Sequence, residues 1–133
     1  MMTKVLDTPY VYLELRDDLL IGTYKKGLKI NLEIAKEIVR TWQNFTEHKP
    51  VLQLVYNQGV VSMDKKARDY LSSEEAVGKI IAGAIVLDSP FGSFLGNFYL
   101  SVSKPKMPAR IFSKTENALK WLDKFRTKKI NSG

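Results

Sequence analysis

At 133 residues, 44% hydrophobic and 26% charged, the chain fits a single globular domain with a real core rather than a disordered segment. It has no cysteine and one histidine, His48, which excludes disulfides, thiolate zinc sites, cysteine nucleophiles and multi-histidine metal centres. The net charge of +7 is local: residues 1–103 carry 12 basic and 12 acidic side chains, and residues 104–133 carry 9 and 2.

The opening MMTKVLDTPY lacks an apolar stretch of signal-peptide length. No apolar run approaches the roughly 20 residues of a membrane span. A cytoplasmic protein with no membrane span is therefore expected. Tyr10 to Arg16 alternates, with Val11, Leu13 and Leu15 on one face, as in a half-buried strand. Asp17-Asp18 reads as a turn, and Leu19 to Tyr24 returns as the second strand of a hairpin. Leu28 and Ile30 extend the sheet in this reading.

Asn31 is placed to cap a first helix, along which Ile34, Ala35, Ile38, Val39, Trp42 and Phe45 recur at helical spacing. Val51 to Tyr56 reads as a central strand, apolar on both faces at most positions. Asn57 to Gly59 marks a turn, and a second helix opens at Asp64 with Ala67, Tyr70 and Leu71 inward. Ser72 and Glu75 are spaced as a capping box that restarts it.

Ile80 to Leu87 is a buried strand whose Ala82, Gly83 and Ala84 let a helix approach closely. Ser89-Pro90 starts a helix reaching Val102, with Phe91, Phe94 and Phe98 on one face. Ala109 to Phe112 is a short last strand. Ser113 and Glu116 form a second capping box, opening a helix through Phe125, and 126–133 is a basic, frayed tail. The order is β-β-α-β-α-β-α-β-α. It predicts one α/β domain over 1–133, with its core at about 10–125: a mixed, mainly parallel five-stranded sheet with four covering helices.

That order, together with Val51 to Leu71 (VLQLVYNQGVVSMDKKARDYL), resembles the STAS domain, the SpoIIAA-like fold of bacterial anti-sigma-factor antagonists, shared in broad form with SEC14-like lipid-binding proteins. Such domains read "D-L-S-G-V" after a strand, then "I-D-S-S-G-L" opening a helix. Here Gly59 and Val60 match the first motif, and Met63-Asp64 matches the second. The resemblance spans roughly Tyr10 to Phe125, and the chain also looks like a group of short bacterial STAS/SEC14-like proteins without an assigned activity. It implies a regulatory, protein-binding role controlled by phosphorylation of a serine at the helix start. Lys65-Lys66-Ala67 stands in place of Ser-Ser-Gly. Lysine cannot accept a phosphoryl group in that chemistry, so the switch is missing.

Two sites follow. The first is a partner- or anion-binding surface at Gly59, Ser62, Asp64, Lys65 and Lys66, where helix-start N–H groups and two ammonium groups favour an anion. The second is an apolar groove for a small molecule or lipid along Phe91, Phe94 and Phe98. The leading expectation is a non-catalytic interaction module with an unidentified protein partner, no cofactor and no metal. Lys104, Lys106, Arg110, Lys114, Lys120, Lys124, Arg126, Lys128 and Lys129 supply charge, but no recognition motif accompanies them, so no specific nucleic acid is expected. Sheet-edge strands and surface aromatics permit a homodimer.

Overall fold

The computed structural model describes residues 3–57, 59–87 and 106–132, the last six of them as backbone alone. Period-two alternation builds the first half. β1 (Thr3–Asp7) pairs antiparallel with β2 (Val11–Arg16), which turns through Asp17-Asp18 into β3 (Leu19–Tyr24) with Arg16 opposite Leu19. Asp17 takes a φ of 53°, a left-handed conformation that aspartate visits more readily than bulkier residues. Val11, Leu13 and Leu20 point into the core, none more than 3% exposed.

After β4 (Leu28–Ile30) comes α1 (Leu32–Phe45). Asn31 caps it, its side chain accepting the Ile34 N–H at 2.9 Å, a bond that satisfies one orphan donor of the first turn. Its buried stripe is Ala35, Ile38, Val39, Trp42 and Phe45. β5 (Val51–Tyr56) then lies at the sheet's centre, parallel to β3 on one side and to β7 (Ile80–Val86) on the other, and β8 (Ala109–Phe112) runs parallel to β7. The sheet order is β1-β2-β3-β5-β7-β8. The mixed, mainly parallel architecture expected from the sequence is present, with six strands in this sheet among the described residues where five were expected. The additional strand is β1. All five of its residues are exposed, so no apolar face marks it, and backbone pairing to β2 holds it in the sheet.

Leu28 and Ile30 do not extend the main sheet. They pair in parallel with β6 (Val60–Met63) in a separate two-stranded ribbon. Four residues are too few to reveal an alternating pattern, and the partner strand is remote in sequence, so 60–63 read as loop. α2 (Lys65–Leu71) and α3 (Glu74–Val77) follow. The restart is capped by Ser73, whose hydroxyl accepts the Ala76 N–H, and not by Ser72, which closes α2 as its C-cap. Glu75 accepts instead from the Tyr70 hydroxyl at 2.6 Å.

The last helix, α4 (Thr115–Ser132), opens later than the Ser113–Glu116 spacing suggested, with the Lys114 carbonyl accepting the Ala118 N–H at 3.2 Å. It also continues through the segment read as a frayed tail. Part of the reason is Arg126, whose Nη2 and Nε reach Asp18 Oδ1 and Oδ2 at 2.8 and 3.1 Å and tie the helix to the β2–β3 turn. The expected helix from Ser89 to Val102, with Phe91, Phe94 and Phe98, lies outside the described residues.

The two faces of the sheet carry different cover. α1, α2 and α3 pack with Val11, Leu13, Leu20 and Val51 on one face. On the other, Ala118 and Leu122 of α4 pack with Leu52, Leu54, Ala82, Ala84 and Val86. Among the described residues no helix is long and apolar enough to cross a membrane.

A candidate ligand cavity between sheet and helices

Strand alternation decides what reaches the α1 side. β5 sends Gln53 and Val55 there, and its register sets Gln53 beside Gly83 and Val55 beside Ile85 of β7. β8 adds Ala109 and Ile111 opposite those same two residues. Across from this floor stand Trp42 of α1, the β6 ribbon, and Arg68 and Leu71 of α2. Between them lies a half-open cavity of about 430 Å³, lined largely by apolar side chains.

Gly83 leaves room for Met107 on that floor. A Cβ at that position would lie 3.0 Å from Met107 Cε and 3.6 Å from Gln53 Oε1. Gln53 is the polar exception in the central strand. It is 6% exposed, and among the described residues no group lies within hydrogen-bond distance of its carboxamide. Tyr24 enters from the end of β3, also without a hydrogen-bond partner among the described residues. The residue as a whole keeps some exposure, but burial at its hydroxyl pushes the phenol up to about 12. Arg68 supplies the cation on the lining, with its Nη1 donating to the Met63 carbonyl at 3.1 Å.

Of the residues singled out in the sequence, Ser62 lines this cavity. Gly59 shapes it indirectly, because a Cβ there would run into the backbone carbonyls of Tyr24 and Lys25. Gly59→Ala is therefore expected to destabilise the fold by about 1–3 kcal/mol, since backbone cannot yield as a flexible side chain does. Chemical denaturation measures this, and an unchanged midpoint would show that the approach is slack. Asp64 is the N-cap of α2, its carboxylate accepting the Ala67 N–H at 2.8 Å. Lys65, 80% exposed, pairs with Asp69 at 2.9 Å, and Lys66 stands in solvent. Asp64, Lys65 and Lys66 thus cluster on the outside of α2 and do not line the cavity.

Sequence reasoning missed Tyr24, Gln53 and Arg68, and read Gly83 as a place for a helix to approach. The helix-facing small residues are Ala82 and Ala84, both fully buried in the cluster containing Ala118. Gly83 faces the other way. One signal was visible in the sequence: a glutamine in the middle of VLQLVY, a strand otherwise suited to burial on both faces.

Burial also fixes the sign of a pH response. Tyr24 is held neutral up to about 12, and Tyr70 is raised to about 12 by burial and by its bond to Glu75. The unfolded chain ionises these phenols near their ordinary 10, so between about pH 10 and 12 the folded state binds more protons. Stability is intact below pH 10 and falls as pH rises towards 12. Urea midpoints across that range check this, and Tyr24→Phe should flatten the slope. An unchanged slope in that variant would show that the Tyr24 hydroxyl is solvated.

A family model described as a domain of unknown function, DUF7793, matches residues 13–126. No curated protein matches the chain. Among solved structures, it is similar to an uncharacterised protein of the DUF3478 family with a SpoIIAA-like fold from Shewanella loihica PV-4. The TM-score is 0.59 and the identity 15%, with 92% of this chain and 96% of that one covered. Such a likeness bears on architecture, and the architecture is SpoIIAA-like.

Proposed function

The chain belongs to the family described as a domain of unknown function, DUF7793, and on that premise we propose that it is a non-catalytic binding module holding a small, largely apolar molecule between its sheet and α1–α2. The observation that carries this reading is the cavity. Its volume of about 430 Å³ falls within the roughly 300–1,000 Å³ of small-molecule sites, and such sites combine apolar walls with a few placed polar groups. Here Gln53, Tyr24, Asn57, Ser62, Arg68 and Ser72 are those groups.

Native mass spectrometry of the purified chain, with saturation-transfer NMR of added toluene, tests the reading. Either a retained small molecule or saturable toluene binding is expected. If neither is found, the cavity is a packing defect and the reading falls.

A second reading, docking of a protein on the surface from Gly59 to Tyr70, is supported by Val61, 63% exposed on β6, near the solvated Lys65 and Lys66. Affinity capture with Val61→Asp and with Lys65→Glu plus Lys66→Glu tests it. Unchanged capture of every partner would remove it.

A further inference from the structure

The most buried polar residue of the described lining carries a carboxamide, and that limits what can lie against it. A glutamine side chain offers two N–H donors and one acceptor oxygen. Gln53 has been taken out of water in the central strand, at 6% exposure, and no described group answers its carboxamide. Buried polar groups in native proteins nearly always have a partner, so the unmade bonds of this one point into the space it faces. Gly83, its register neighbour, bears no side chain, and a Cβ there would stand 3.6 Å from Gln53 Oε1 and 3.0 Å from Met107 Cε.

The partner must satisfy both halves of the amide. A carboxylate could accept from the glutamine N–H and pair with Arg68, but it carries no donor for Oε1. An ammonium could donate to Oε1 but would lie in an apolar cavity with no carboxylate among the described lining residues. A neutral group with a donor beside an acceptor answers both at once. The Tyr24 hydroxyl, a neutral donor and acceptor on the same lining, suits a head of that kind.

Resting on the reading that the cavity holds a small molecule, we propose that its ligand carries an uncharged amide-type edge, a donor adjacent to an acceptor as in a lactam or primary carboxamide, which pairs with the Gln53 side chain while an apolar body fills the space beside Gly83. Gln53 is then the residue that sets specificity, and the apolar walls contribute affinity without discrimination.

Matched probes test this. 2-Quinolone and hexanamide each carry the edge, one on a flat ring and one on an acyl chain. N-methyl-2-quinolone and N,N-dimethylhexanamide keep the body and lose the donor. Dissociation constants by titration calorimetry are expected to favour at least one parent probe over its methylated form by about tenfold or more, because a site built for a hydrogen bond rejects analogues lacking it. Which parent is favoured separates a ring ligand from an acyl one. Gln53→Leu should abolish that ratio while toluene still binds, which shows that the cavity is intact. Equal binding of parent and methylated probes, or a ratio that survives in Gln53→Leu, overturns the inference and leaves the cavity reading standing. Binding of no probe, toluene included, by protein that retains no molecule of its own overturns both.

Discussion

Gly83→Val is expected to abolish small-molecule binding in the cavity without weakening the fold. The new Cβ would meet Met107 Cε at 3.0 Å, the free end of a flexible side chain that can turn aside, and it would lie 3.6 Å from Gln53 Oε1. The two methyl groups beyond it occupy the volume beside Gln53. Valine also suits a strand interior better than glycine, which loses more backbone freedom on folding and has no side chain to pack. The two effects therefore have opposite signs. Thermal stability should hold or rise, and the affinity for toluene or 2-quinolone should fall by about tenfold or more, or about 1.4 kcal/mol. Calorimetric titration and a melting curve on the same protein read both. Retained affinity would place the ligand elsewhere. A large loss of stability would mean that the floor of the cavity has no room to give.

Leu122→Ala is expected to produce the largest loss of stability. Leu122 is 1% exposed and packs, with Ala118, against Leu52, Leu54, Ala82, Ala84 and Val86. Truncating a leucine at such a site removes its burial and leaves a void, at a cost of about 2–5 kcal/mol. A domain of this size has only about 5–15 kcal/mol in total, so the melting temperature should drop by on the order of 10 °C. Arg126→Ala should cost much less, about 1 kcal/mol or below, because its fork to Asp18 is roughly one-third exposed and screened by water. Urea denaturation of the two variants side by side checks the ranking. A loss below about 1 kcal/mol for Leu122→Ala would show that α4 is not anchored through this face.

Toluene binding at the cavity and the stability of α4 should be separable, because they use opposite faces of the same strands. Gln53 and Gly83 face α1–α2, while Leu52, Leu54, Ala82 and Ala84 face α4. Leu122 touches Ala82 and Ala84, the neighbours of Gly83, but on the opposite face, and sites that share no side-chain partner usually add. The double variant Gly83→Val, Leu122→Ala should therefore melt close to the sum of its parts.

Local chemistry alone wrote several elements into the sequence: the β2–β3 hairpin with its aspartate turn, α1 with its Asn31 cap, the Asp64 cap, and the positions of β5, β7 and β8. In each, a period of 2 or 3.6 or a capping residue acts within a few positions of its effect. β1 and the β4–β6 ribbon escaped because short or wholly exposed strands carry no such period, and Ser72 was chosen over Ser73 because two adjacent serines offer the same local signal. The cavity was beyond the reach of local chemistry altogether. Gln53 and Gly83 become neighbours only through the parallel register of β5 on β7, and the space above them is bounded by residues that α1, β6 and α2 bring from elsewhere in the chain. A gap is a property of what fails to touch, and only the assembled fold decides which residues those are.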